Sequence, residues 1–166
     1  SLIFKNIILD GKKITVKYKI LEIKFDKYLF KLHLALPINK NKIIFQYDYF
    51  KKVDENFGNI VTNNGIENFL TDVTTDQGSN DFLYFYGVNG KIEIQDGDFN
   101  SIFLDYDKKS LPYFWIFQSR GGWNDLNVNV LEPCNSGLKD IESARNQNLL
   151  YSPPNQYKTW YSLEVT

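Results

Sequence analysis

The stretch Ile14-Thr15-Val16-Lys17-Tyr18-Lys19-Ile20 alternates apolar and polar residues at every step, and Leu21-Glu22-Ile23-Lys24-Phe25 repeats the alternation one residue out of phase. A period of two marks a half-buried β-strand, because successive side chains leave a strand on opposite faces. The slip at Leu21 predicts a β-bulge or a strand boundary. Outward from this stretch, alternation and aromatic-rich runs predict strands over residues 28–36, 43–49, 82–87, 91–95, 101–106, 113–118, 127–132 and 157–165. In the last of these, Tyr157, Thr159, Tyr161, Leu163 and Val165 share one face. Asp10-Gly11, Asn64-Gly65, Asn89-Gly90 and Asp96-Gly97 mark tight turns, and Val88-Asn89-Gly90-Lys91 between two apolar runs reads as a hairpin. Helical spacing is confined to residues 137–145, where Leu138, Ile141 and Ala144 fall on one side; residues 65–72 read as one helical turn and 54–64 as a polar loop. These elements predict an all-β, mostly antiparallel domain with one short helix, hence a sandwich or a barrel.

Composition narrows the function. The 166 residues carry a formal net charge of −1, which argues against nucleic acid as a partner, since such proteins show a basic excess. No apolar run is long enough for a membrane helix, so no membrane partner is expected. The single cysteine, Cys134, rules out an internal disulfide framework; a reducing, cytoplasmic setting is the expectation. With no methionine and with Ser1 first, the chain is expected to be a processed chain, a domain or a fragment. Arginine is scarce, so Arg120 and Arg145 stand out.

The chemistry concentrates in Leu111-Pro112-Tyr113-Phe114-Trp115-Ile116-Phe117-Gln118-Ser119-Arg120-Gly121-Gly122-Trp123, followed by Val130-Leu131-Glu132-Pro133-Cys134-Asn135. Pro133 has no N–H for a ladder, so the strand is expected to end there and to leave Glu132 at the sheet rim against an apolar wall. Partial desolvation disfavours a charged carboxylate, which is one route to a general base. The chain's one histidine, His33, also precedes a proline in Lys31-Leu32-His33-Leu34-Ala35-Leu36-Pro37, and imidazole is the natural proton carrier near neutrality. A solvated strand-end glutamate and a hydrogen-bonded core histidine are the alternative readings of the same two residues.

Order and spacing in these motifs resemble the aldose 1-epimerase (galactose mutarotase-like) superfamily. The similarity is strongest over residues 88–166: Leu-Pro-Tyr before an aromatic strand, the Gly121-Gly122-Trp123 turn, Leu131-Glu132-Pro133-Cys134-Asn135, a short helical segment, and Pro153-Pro154 before a closing strand. Asn135 and Ser152-Pro153-Pro154 depart slightly from the family pattern, as does His33-Leu34-Ala35-Leu36, and the match over residues 11–45 is weaker. The resemblance implies a single β-supersandwich domain over residues 1–166 that lacks the family's N-terminal part, with a second chain or that segment completing the fold. It implies interconversion of the α and β anomers of a hexose or hexose phosphate. Glu132 would be the general base and His33 the general acid on opposite sides of a cleft, with Trp115, Gln118, Arg120 and Trp123 as sugar contacts. Both steps are proton transfers, so neither a metal nor another cofactor is implied. A non-catalytic carbohydrate-binding protein of the same fold and a protein-interaction module are the other two readings.

Overall fold

The structure is a computed structural model that describes residues 1–24, 27–37, 42–53, 60–61, 65–70, 78–96 and 100–166. Its elements are β1 (Leu2–Asp10), β2 (Lys13–Ile23), β3 (Leu34–Pro37), β4 (Lys42–Tyr47), β5 (Tyr49–Val53), β6 (Ile60–Val61), β7 (Gly65–Leu70), β8 (Ser79–Tyr86), β9 (Lys91–Asp96), β10 (Asn100–Tyr106), β11 (Tyr113–Trp123), β12 (Leu126–Cys134), α1 (Ile141–Asn146) and β13 (Asn155–Val165). They form one seven-stranded sheet in the order β1-β2-β13-β10-β9-β4-β7 and one six-stranded sheet in the order β3-β12-β11-β8-β5-β6. The pairings described are antiparallel. The fold is the expected all-β supersandwich architecture with one short helix.

Alternation decides which face of each strand meets the other sheet. Ile43, Phe45, Ile92, Ile94, Leu104, Tyr106 and Tyr157 of the first sheet are buried against Leu83, Phe85, Phe114, Ile116 and Leu131 of the second. Phe45 bridges the layers, with ring centroids 4.9 Å from Phe85 and 5.2 Å from Phe114. The opposite face of the six-stranded sheet has its own apolar cluster: Tyr84, Tyr86, Trp115 and Cys134, with Leu138 and Leu149 from either side of α1 packed on it. Asp140 caps α1, its carboxylate accepting from the N–H groups of Glu142 and Ser143.

The slip at Leu21 is a bulge: Leu21 pairs with Gln156 and Ile23 with Asn155, leaving Glu22 unpaired at φ +55°. The β11–β12 connection is a two-residue turn, Asn124-Asp125, with φ +50° and +56°, the geometry of hairpin turns whose twist matches that of the strands.

Several expectations are corrected. Val88–Lys91 does not close a hairpin: β8 pairs with β5 and β11, whereas β9 pairs with β10 and β4, so the chain changes sheets here. The Asn-Gly signal specifies a local reversal, not the strand that follows it. Residues 65–70 form a strand on the edge of β4 rather than a helical turn, because pairing with an open strand outweighs weak local preference. β1 has no counterpart among the predicted strands, since Leu2-Ile3-Phe4 and Ile7-Ile8-Leu9 are apolar in blocks and carry no period of two. Of the expected loop over 54–64, residues 60–61 are strand and the others lie outside the described residues, as do Asn64 and Gly97 of two expected turns.

The strand carrying Glu132 does not stop at Pro133. It runs to Cys134, with Pro133 in register with Phe114 of β11. The proline's missing donor falls instead on the other side, where the Leu32 N–H donates to the Pro133 carbonyl at 2.9 Å and no N–H can answer it. The segment beside Pro133 is accordingly an isolated bridge at Lys31 and a regular strand only from Leu34, shorter than the strand expected over 28–36.

Candidate functional site

Register brings the candidate residues together. Leu34 pairs with Leu131 and Lys31 bridges to Cys134, so His33 stands across from Glu132 and Lys31 lies one diagonal step away. Glu132 is in turn paired with Trp115 on β11, Trp115 with Tyr84 on β8, and Tyr84 with Lys51 on β5. Period-two alternation places this row on the face of the six-stranded sheet turned away from the inter-sheet core.

Glu132 and His33 are in direct contact. His33 Nδ1 lies 3.2 Å from Glu132 Oε1; the carboxylate side chain is 3% exposed and the imidazole side chain 56%. Lys31 Nζ donates to both carboxylate oxygens, at 3.1 Å to Oε1 and 3.0 Å to Oε2. Its ammonium also lies 5.3 Å from the Trp115 ring centroid, within cation–π range. A buried carboxylate is expensive unless paired and hydrogen-bonded, and these contacts meet that need. Tyr84, whose ring centroid is 4.7 Å from that of Trp115, has its hydroxyl pushed up to about 12, first by burial and then by the neighbouring Cys134 and Glu132.

The backbone that presents Lys31 and His33 is tied down by Asn135. Its side-chain amide donates to the carbonyls of Tyr28 (3.0 Å) and Tyr151 (2.9 Å), and its carbonyl oxygen accepts from the Phe30 N–H at 2.7 Å. The Asn135 N–H donates to the Phe30 carbonyl at 3.0 Å. Beside this segment lies a cavity of ≈ 290 Å³ lined by Tyr18, Phe30, Lys31, Leu32, His33, Leu34 and Tyr161. That is near the lower limit of ligand-pocket sizes, ~300–1,000 Å³. A larger cavity of ≈ 620 Å³, lined by Phe4, Lys17, Lys19 and Trp160 among others, belongs to β1, β2 and β13 of the other sheet and touches neither Glu132 nor His33.

The other expected sugar contacts are not gathered here. Trp115 adjoins Glu132 but is buried beneath Lys31. Gln118 and Arg120 leave β11 on the opposite face: the Arg120 guanidinium donates to Asp81 at 3.0 Å and to the Gln118 side-chain carbonyl at 3.2 Å, and Gln118 is buried. Trp123 is half-exposed and contacts Phe117, ring centroids 6.0 Å apart. A chain of ring contacts through Phe117 and Phe82 links it to Trp115. Among the described residues, no group of three His, Cys, Asp or Glu side chains gathers to hold a metal ion. Nor is any helix among them long and apolar enough to cross a membrane.

Sequence reasoning missed Lys31 and Asn135. The signal for Lys31 was present: Lys31 and His33 are two apart around the buried Leu32, so both leave the segment on one face. Asn135 registered only as a departure from a motif.

No protein-family model matches the chain, and no curated protein matches it. Solved structures do. A candidate aldose 1-epimerase from Escherichia coli K12 superposes with a TM-score of 0.67 at 17% identity, over 98% of this chain and 59% of that one. The chain has the galactose mutarotase-like fold. The Slr1438 protein of Synechocystis sp. PCC 6803 (TM-score 0.64, 14% identity) is matched over 99% of this chain and 54% of its own. A candidate aldose 1-epimerase of Klebsiella pneumoniae (TM-score 0.64, 9% identity) is matched over 98% and 49%. This mutarotase-like chain therefore spans between half and three-fifths of the length of these neighbours.

Proposed function

We propose that this mutarotase-like chain interconverts the α and β anomers of a hexose, with Glu132 and His33 acting as one acid–base unit. The observation that carries the reading is the contact between a buried carboxylate and the half-exposed imidazole of the chain's only histidine. The two groups touch, so a sugar does not fit between them. His33, the half-exposed member, is the one that meets the substrate, and Glu132 supports it from behind. In this scheme the imidazole takes the proton of the anomeric hydroxyl as the bond from the anomeric carbon to the ring oxygen breaks. The same proton then passes to the ring oxygen. Both oxygens are bonded to the anomeric carbon, so one imidazole reaches both. The carbonyl end rotates, the ring oxygen attacks its other face, and the proton returns. Glu132 stabilises the imidazolium that forms in between.

The test is anomer equilibration of glucose and galactose, followed by polarimetry. Glu132→Gln and His33→Asn are each expected to slow the catalysed rate by about 100-fold or more. A wild-type rate in both variants overturns the proposal.

A non-catalytic carbohydrate-binding role is the second reading. It is favoured by Arg120 and Gln118 facing away from Glu132, which leaves few polar groups to hold a sugar in a reactive pose. Calorimetric binding of a hexose without anomerisation selects it.

A further inference from the structure

We propose that Lys31 is a positioning residue for the Glu132–His33 pair: its ammonium grips both carboxylate oxygens and so presents Oε1 to the imidazole Nδ1. The catalytic part of this inference rests on the acid–base reading above; the geometric part does not.

The terminal torsion of a glutamate is soft, so a carboxylate held at one oxygen swings freely. Here Lys31 Nζ reaches Oε1 at 3.1 Å and Oε2 at 3.0 Å. With both oxygens held, the carboxylate is kept in place beside the imidazole, with Oε1 3.2 Å from His33 Nδ1. Lys31 is itself constrained. Its head lies over the Trp115 ring, its side chain is 25% exposed, and the Asn135 clamp holds the backbone just before it. Beside the imidazole stand Glu132 on β12 and, on its own segment, Lys31, which shares the same carboxylate. Glu132 Oε1 lies 3.2 Å from Nδ1, and an acceptor there favours the tautomer with its proton on Nδ1. That leaves Nε2 unprotonated and able to accept. Lys31 thereby acts on the substrate-facing nitrogen without touching it, through the orientation of a carboxylate that is nearly inaccessible to solvent.

The experiment uses Lys31→Met and Lys31→Arg in the whole chain. Because His33 is the only histidine, its imidazole ¹⁵N signals are unambiguous. The wild type and Lys31→Arg are expected to show the Nδ1–H tautomer, since a guanidinium also holds two carboxylate oxygens. Lys31→Met is expected to show a mixture shifted toward Nε2–H. Its kcat is expected to fall by up to about 100-fold with KM nearly unchanged, and Lys31→Arg to recover most of the loss. Should Lys31→Met not fold, Lys31→Gln, which keeps one N–H donor, is expected to give an intermediate tautomer mixture. An unchanged Nδ1–H tautomer in Lys31→Met, or in Lys31→Gln in its place, overturns the inference. A wild-type chain that does not anomerise sugars defeats the functional reading, while the ¹⁵N result still decides the role of Lys31.

Discussion

Cys134 sits two residues beyond Glu132 on the same face, wholly buried, its thiol 3.1 Å from the Ser136 carbonyl that accepts its proton. Burial pushes this thiol well above its ordinary range. The thiolate is the reactive form, so Cys134 is a packing residue in the cluster with Tyr84, Tyr86 and Trp115. In the folded chain it is expected to resist a disulfide reagent such as DTNB for hours, and to release one equivalent at once in denaturant; rapid native labelling would contradict this burial. At the same scale, Glu132 and His33 were legible from residue type and from the prolines that follow them. Their contact was not, because 98 intervening positions give no information about which strands become neighbours.

Among the elements, the segment ahead of β3 is the one on which the site depends. It lacks a continuous ladder beside Pro133 and is held instead by Asn135, which is fully buried and bonds to Tyr28, Phe30 and Tyr151. Replacing Asn135 with Ala strands two carbonyls and one N–H. It is expected to lower stability by about 2–4 kcal/mol, measured by urea unfolding. It is also expected to release Lys31 and His33 from Glu132, so activity should fall further than the loss of folded protein explains. Retention of both stability and activity would show that the segment is held by other contacts. Sequence spacing identified most strands and the bulge near Leu21, because alternation is a local consequence of one buried face. It failed at Val88–Lys91, where the turn joins two sheets, and at β1, whose apolar residues are not spaced by two.

Across the whole molecule, tyrosines are buried both between the two sheets and in the cluster on the outer face of the six-stranded sheet. Tyr28 and Tyr84 are pushed up to about 12, in both cases first by burial, and Tyr86, Tyr106 and Tyr157 are pushed higher still by the same cause. An unfolded tyrosine ionises near 10, so above about pH 10 the unfolded chain has lost protons that the folded chain keeps. Stability is therefore at its full value below about pH 10 and falls as pH rises through the folded values. The slope is about 1.4 kcal/mol per pH unit for each tyrosine that unfolding frees. Urea midpoints are expected to be level from pH 7 to 9 and to drop steeply toward pH 11; a flat profile to pH 11 would mean that these hydroxyls are not enclosed. β1 adds a different large-scale feature, an edge strand whose Leu2, Ile3, Phe4, Ile7, Ile8 and Leu9 are all exposed, in a chain about half the length of its structural neighbours. The sequence by itself determined the strand-rich class, the inward faces of most strands and the residue types able to move a proton, since all of these follow from local periodicity and side-chain chemistry. Only the tertiary structure decided which strands pair across Pro133, that His33 touches Glu132 instead of facing it across a cleft, that Lys31 joins them, and that Arg120 and Gln118 turn away. Each of these is settled by register between strands distant in sequence, where a shift of one residue exchanges the two faces of a sheet.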